Sequence, residues 1–325
     1  MGRRRVRNLR QLGVGDVRGF DARADRREQA HRELGLICTD TFEAGLDWRP
    51  EVVVVSTPPD DHVSFALAAV DRGIPVFTEL SLNPDGLDEL RRRAGAGGTL
   101  VAPSCTARFN PVIGQIRSLL VDGAIGTPTN VVAYLGQYLP SWHPWEDYRQ
   151  FFAARRRTGA CRELLGFDLL WLPWVLGPVA EVGCMRAALG SLESDIDDVY
   201  QVLLRFGGGT LASLQIDAVS RVPVRYYRFV SDAGVIVWDW TTLYLRAYTV
   251  ADGKWKEYSA SEGFAGYSTE DVYTAEMGAF VAAVRGEATF PYTLEEDLAR
   301  VELMSTIDAS ADRRELVAIM EGQRT

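Results

Sequence analysis

Residues 136–168 gather the groups that proton transfer and ligand recognition need. His143 stands in the stretch Trp142-His143-Pro144-Trp145-Glu146-Asp147-Tyr148-Arg149, and Arg162 and Glu163 follow. An imidazole titrates near neutrality, so His143 suits general acid/base work. Trp142, Trp145 and Tyr148 offer flat faces on which a sugar ring can stack. Asp147, Arg149, Arg162 and Glu163 can hydrogen-bond hydroxyls or hold a phosphate. Asp168 interrupts an otherwise apolar run from 164 to 172. A carboxylate there needs a partner or carries a displaced pKa, which makes it a third acid/base candidate. Structural readings compete with each of these. The Trp-rich stretch also fits a loop at a subunit interface, and Arg162 with Glu163 also fits an ion pair. Cys161 would need a nearby cation to become a nucleophile, and packing of a small side chain is its simpler role.

These residues need a scaffold, and the chain supplies two textures. Residues 13–103 alternate strand and helix patterns. "DVRGFD" reads as a strand and "ADRREQAHREL" as a helix. The unbroken run Val52 to Val55 suits a parallel strand buried on both faces. "DDHVSFALAAVDRG" is a helix with an acidic first turn and Gly73 after its end. "IPVFTE", "DGLDELRRRAG" and "GTLVAP" continue the rhythm. Together they predict an α/β fold with a doubly wound parallel sheet. From about residue 105 short strands follow one another with turn signals between them, as in "YQVLLRF", "TLASLQID" and "GVIVWDW". This predicts an α+β domain with a mostly antiparallel sheet, closed by helices at 275–286 and 294–310. The domains are expected at 1–104 and 105–325.

Composition excludes several classes. The 325 residues carry 35 Lys and Arg against 44 Asp and Glu, a net charge of −9. Phosphate backbones demand clustered positive charge, so nucleic acid is not an expected partner. The three Arg-Arg-Arg runs at 3–5, 91–93 and 155–157 read as solvated helix faces. No apolar run reaches the roughly 18 residues a membrane helix needs. The four cysteines form no Cys-x-x-Cys, so no metal site is expected, and a reducing cytoplasm is the expected compartment.

In order and spacing, several motifs resemble the glucose–fructose oxidoreductase / inositol dehydrogenase / rhizopine-catabolism (Gfo/Idh/MocA) family. They are "VVVVSTPPDDH" with Thr57, Pro58 and His62, "GIPVFTE" ending on Glu79, "RFNP" at 108–111, "GAIG" at 123–126, and "AEMGAFVAAVRGE" with the late "DASADRREL". The resemblance implies a Rossmann domain and a second-domain sheet used for homo-oligomerisation. It implies hydride transfer between a nicotinamide cofactor and a sugar, nucleotide-sugar or cyclitol. In such a family "GRRRVRNLRQLG" looks like the first helix, with Gly2 as the last glycine of Gly-x-Gly-x-x-Gly. The first strand and the first two glycines are then expected upstream, Met1 being an internal methionine; the alternative is a truncated product that folds poorly or not at all. Strand 1 lies at the centre of a 3-2-1-4-5-6 sheet, so its absence would expose two strand edges.

Carried over residue by residue, the resemblance gives Gly2, Ser56, Thr57, Pro58, His62 and Glu79 as cofactor-binding positions. Asp21, at the end of the second strand, can accept bonds from ribose hydroxyls and repel a 2′-phosphate, favouring NAD over NADP. A turn-forming Asp is the alternative. His62 equally fits a packing or capping role. Arg108, Trp145, Arg149 and Arg162 are expected near substrate.

The catalytic pattern departs from the family. Leu80 stands where the lysine of Glu-Lys-Pro belongs and Ser81 where the proline belongs. Glu163 falls at the acid position and Phe167 at the histidine of Gly-Gly-x-x-x-Asp-x-x-x-His. A sugar hydroxyl is a poor hydride donor unless a base removes its proton. Either His143, Glu163 or Asp168 supplies that base, or the chain is a catalytically degenerate relative that holds a ligand or a partner subunit.

Overall fold

The computed structural model describes residues 1–240, 244–258 and 269–319. Its helices are α1 (Gly2–Gln11), α2 (Ala24–Leu34), α3 (Phe42–Leu46), α4 (His62–Val70), α5 (Leu87–Gly97), α6 (Pro111–Val121), α7 (Ala160–Asp168), α8 (Leu172–Leu176), α9 (Thr269–Val284) and α10 (Leu294–Arg313). Its strands are β1 (Gly19–Phe20), β2 (Cys38–Thr39), β3 (Val53–Val55), β4 (Val76–Thr78), β5 (Val101–Pro103), β6 (Asn130–Gly136), β7 (Val179–Ala187), β8 (Val199–Phe206), β9 (Leu211–Asp217), β10 (Val224–Ser231), β11 (Gly234–Asp239), β12 (Tyr244–Thr249), β13 (Lys254–Tyr258) and β14 (Val317–Ala318).

The chain divides into two units. The first is Met1–Thr106 with Ser268–Leu298, the second Ala107–Tyr267 with Ala299–Thr325. The return of α9 to the first unit differs from the split at 104/105 read from the sequence. The reason is burial: Phe280 of α9 and Phe290 meet Phe77 of β4, with ring centroids 5.6 and 6.4 Å apart. Nothing local in the sequence announces that long-range contact.

The first unit has the parallel α/β layout, with short strands. Its helices end where the sequence provides stops. Gly35 closes α2 in the left-handed conformation, which glycine adopts without a Cβ penalty. The sheet itself is split. β1 pairs β2, and β3-β4-β5 form a separate parallel set. Among the described residues no strand lies between β1 and β3. β4 and β5 are buried throughout, whereas Val53 and Val54 of β3 stay half-buried despite their apolar type. A cluster of Phe20, Phe42 and Phe65 ties β1, α3 and α4 together, with centroid separations of 5.7, 5.6 and 4.8 Å.

The second unit is built on a nine-stranded sheet in the order β13-β12-β11-β10-β6-β9-β8-β7-β14. Every neighbouring pair is antiparallel except β6 with β9. β8 alternates strictly between buried and exposed positions, as a sheet with one covered face requires. Trp171, Tyr227, Phe229 and Trp238 form the aromatic centre of this core, each at most 2% exposed. α6 begins at Asn110, whose side chain accepts from the Val112 and Ile113 amides, with Pro111 at the first helical position.

Candidate functional site

The cofactor candidates of the first unit lie at and just beyond the carboxyl ends of its parallel strands, the place where open α/β sheets bind ligands. Asp21 follows β1. Its Oδ1 accepts from the Arg23 amide at 2.9 Å, and Arg27 donates to its backbone carbonyl at 2.8 Å. Asp21 therefore shapes the turn and still presents a second carboxylate oxygen. Ser56, Thr57 and Pro58 follow β3. A Cβ on Gly2 would stand 3.8 Å from the Ser56 Cβ, which places the start of α1 beside that strand end. Thr57 keeps a buried hydroxyl with no partner among the described residues. His62 opens α4, and its Nε2 lies 2.9 Å from the Thr57 carbonyl. Nε2 must therefore carry the proton, and Nδ1 remains a buried acceptor with no partner. Burial pushes the His62 pKa down, so the ring is neutral near pH 7.

Glu79 is occupied within the protein. Arg5 of α1 grips it in a fork, Nε to Oε1 at 2.7 Å and NH2 to Oε2 at 2.9 Å. Ser56 donates to the same carboxylate at 3.0 Å. The same NH2 of Arg5 lies 2.8 Å from Oε2 of Glu276 on α9, while NH1 is buried with no partner among the described residues. Glu276 also accepts from Ser104 Oγ at 3.0 Å, the Cys105 amide at 2.7 Å and Thr106 Oγ1 at 3.0 Å. Two buried carboxylates thus share one cation. Burial raises the Glu276 pKa, while Arg5 and its fork hold Glu79 below the usual carboxylate range against its own burial. Leu80, which follows Glu79, is 7% exposed and belongs to the buried core.

In the second unit, α7 carries three of the polar candidates, each in a different setting. Glu163 is half-buried as a residue, yet its Oε2 is sealed from solvent with no hydrogen-bond partner among the described residues. Burial pushes its pKa up to about 8. Arg162 turns instead to Asp308 of α10, and Arg186 of β7 donates to the other oxygen of Asp308 at 2.7 Å. Asp168 lies in the aromatic core. Its Oδ1 accepts from Tyr227 at 2.7 Å and from the Trp171 indole at 3.3 Å, and burial raises its pKa to about 6. Phe167 lies on the same helix and is half-buried.

The Trp-rich loop folds on itself. His143 Nδ1 lies 2.5 Å from Glu146, and its ring stacks on Trp145 at 5.0 Å and 17°. Trp145 is 72% exposed and so remains open to a ligand. Arg149 binds Asp147 at 2.8 Å and Glu193 at 2.7 Å. Arg108 lies over the Trp174 ring, 5.5 Å from its centroid, and donates to the Leu170 carbonyl at 3.5 Å.

Sequence reasoning missed Arg5, Glu276, Tyr227 and Asp308. The run at 3–5 looked solvated. Arg3 and Arg4 do pair with surface acids, but Arg5 is 1% exposed. The available signal was the 3.6-residue period, which puts Arg5 on one face with Asn8 and Leu9.

Comparison with known proteins matches residues 113–237 to the model of the GFO/IDH/MocA C-terminal domain. Inositol 2-dehydrogenase 4 of Saccharopolyspora erythraea is 33% identical over 128 residues, 38% of this chain and 37% of that protein. Trans-1,2-dihydrobenzene-1,2-diol dehydrogenase of Mus musculus is 25% identical over 188 residues, 57% of this chain and 54% of that one. The matched stretches therefore span about a third to a half of these relatives. A levoglucosan dehydrogenase solved in complex with NADH superposes with a TM-score of 0.84 at 15% identity, covering 98% of this chain and 96% of that one. An oxidoreductase domain protein from Kribbella flavida gives 0.84 at 21%, covering 99% and 96%. The chain shares its fold with these two solved structures. The resemblance read from the sequence is supported over residues 113–237, which match the GFO/IDH/MocA C-terminal domain.

Proposed function

We propose that this chain is a nicotinamide-dependent oxidoreductase of CH–OH groups, acting on a sugar, nucleotide-sugar or cyclitol, with Glu163 as its acid/base. The observation that carries this reading is the Glu163 carboxyl, whose Oε2 is sealed from solvent with no partner among the described residues and whose pKa burial raises to about 8. Such a group exchanges a proton near neutrality, as the missing lysine and histidine would have done.

Residues of the first unit fit parts of a dinucleotide. Asp21 retains a free carboxylate oxygen for ribose hydroxyls, which favours NAD over NADP. Thr57 and His62 present unpartnered buried polar atoms beside the β3 end. Glu79 does not fit a direct contact, because Arg5 and Ser56 claim both its oxygens. When bound, nicotinamide supplies the hydride acceptor for the carbinol C–H. Glu163 in its ionised form takes the hydroxyl proton, so alcohol oxidation gains its base as pH rises through about 8. Trp145 offers a stacking face, with Arg149 and Arg108 as polar partners and His143 as a second proton carrier. Arg162 and Asp168 support the site through Asp308 and through Tyr227 with Trp171.

The outer sheet face exposes Met185, Leu203 and Leu211, and it is the proposed surface for homo-oligomerisation. The described cysteines are all free, in keeping with a reducing cytoplasm as the compartment. No helix of the described residues is long and apolar enough to cross a membrane.

A second reading rests on Leu80, which fills the lysine position with a buried apolar side chain. In it the chain binds a ligand or a partner subunit without turnover. NADH formation from NAD with a panel of monosaccharides and cyclitols separates the two. Turnover that climbs through pH 8 and is lost in Glu163→Gln, with NADH binding retained, supports the enzyme. NADH binding without turnover on any panel member supports the second reading. Unchanged turnover in Glu163→Gln removes Glu163 from the chemistry.

A further inference from the structure

At the amino ends of β3 and β4 the first unit has a hollow of about 510 Å³, lined by Leu46, Asp47, Arg49, Pro50, Arg72 and Ile74. Volumes of this order hold small ligands. α3 ends at Leu46, α4 ends at Val70, and Pro50 and Ile74 lead into β3 and β4. Leu46 is buried and Pro50 and Ile74 are half-buried, so part of the lining is apolar. The rest is charged and uncommitted. Arg72 donates from NH1 to the Ala68 carbonyl of its own helix at 3.3 Å, while the neighbouring Asp71 is taken by Arg93 of α5 at 2.9 Å. Among the described residues neither Arg49 nor Arg72 has a carboxylate partner, and Asp47 pairs with neither. In a chain of net charge −9, whose Arg3, Arg4, Arg91 and Arg93 all find acids, two unpaired guanidinium groups in one hollow are unusual. The backbone also holds Arg49 against its preference. Its φ is 54°, left-handed, directly before Pro50, where a residue is normally extended. Its amide bonds to the Leu46 carbonyl at 3.0 Å and closes α3, a position that glycine usually fills.

We propose that this hollow is a second ligand site that binds a phosphate monoester of a small polyol, with Arg49 and Arg72 on the phosphate and Asp47 on a hydroxyl. Guanidinium groups present paired N–H donors that match phosphate oxygens, and charge-assisted bonds of this kind are the strong ones. Two positive charges balance a phosphate dianion. The Ala68 carbonyl takes one N–H of Arg72 and leaves the others to the ligand. Asp47 repels a phosphate, so it serves the far end of the ligand, where its carboxylate accepts from a hydroxyl. Leu46, Pro50 and Ile74 suit the carbon skeleton between the two ends. The site is distinct from the one read for the dinucleotide, because Pro50 precedes β3 whereas Ser56, Thr57 and Pro58 follow it. This inference therefore stands apart from the hydride-transfer reading, and its readout is binding rather than turnover.

The test is isothermal titration of the full chain with glycerol 3-phosphate, beside glycerol and inorganic phosphate, at low salt and with and without NADH. Saturable binding of glycerol 3-phosphate is expected, with none of glycerol and weaker binding of inorganic phosphate. NADH should leave it unchanged. Arg49→Gln and Arg72→Gln should each weaken it by roughly tenfold or more, since each removes bonds to a charged group. Amide hydrogen exchange places the ligand, and slowing in segments 46–50 and 72–74 is expected. No saturable binding at millimolar glycerol 3-phosphate overturns the proposal. So does binding that both variants retain in full, that NADH displaces, or that protects only other segments. Inorganic phosphate binding as tightly as the ester overturns the assignment to a polyol phosphate. Both arginines are exposed, so the variants are expected to fold. If one does not, the exchange pattern of the parent chain decides, protection of those two segments supporting the site and its absence overturning it.

Discussion

Replacing Arg5 by methionine removes the one cation shared by Glu79 and Glu276. All three side chains are buried, at 1%, 13% and 0% exposed. Removing one partner of a buried ion pair costs about 3–5 kcal/mol, because it strands an uncompensated charge. Here it strands two, so the upper part of that range is expected. Loss of the guanidinium over the Phe77 ring, now at 4.6 Å, adds to the cost. The pH dependence has a definite sign. Without Arg5 both carboxylates are buried and unpaired, so their folded pKa values rise above the unfolded values. A carboxyl raised in the folded state is at its most stabilising below the unfolded pKa and loses that contribution as pH rises through the folded pKa. The Arg5→Met deficit should therefore be largest above neutrality and shrink toward pH 5. The assay is urea unfolding at pH 5 and pH 8, followed by exchange of first-unit amides such as those of β4. Adding Glu276→Gln to Arg5→Met should recover part of the loss at pH 8. A deficit under about 1 kcal/mol, or one that does not vary with pH, would refute the shared-cation account.

Glu163→Gln should gain stability relative to the parent as pH rises from about 5 to 9. The parent's carboxyl, with its pKa raised to about 8, must ionise in a buried site over that window, and paired thermal scans across the range check it. Asp168→Ala leaves the Tyr227 hydroxyl and Trp171 indole without their acceptor and should cost about 1–3 kcal/mol in urea unfolding. Asp168→Asn, which keeps an acceptor, should cost less. Gly234→Ala puts a Cβ against the Tyr248 carbonyl across the β11–β12 pair and should destabilise by about 1–3 kcal/mol, read as a lower unfolding midpoint. Leu203→Arg on the outer sheet face should shift the chain toward monomer in light scattering, with the helix and strand content seen by circular dichroism unchanged.

Much of the fold was legible because local patterns repeat. The four-valine run, the helix at 62–70 and the glycine after α2 are signals carried within a few residues, and they appear where the sequence puts them. So does the change to an antiparallel sheet after residue 105, since alternation and turn residues mark each strand. Of the chemistry, the sequence supplied the candidate residues. It did not supply their surroundings. Adjacent positions on α7 end in different worlds: Arg162 in an ion pair with Asp308, Glu163 with an oxygen sealed and unpaired.

Sequence alone therefore determined the element types, their order and the residue types available to a site, because these depend on backbone preference and hydrophobic period. Tertiary structure alone decided which of those groups are charged, committed or free. Arg5, Glu79 and Glu276 lie some 70 to 270 positions apart and meet only when α1, β4 and α9 pack. Burial and partner charge set a pKa, and both come from contacts that no local stretch of sequence contains.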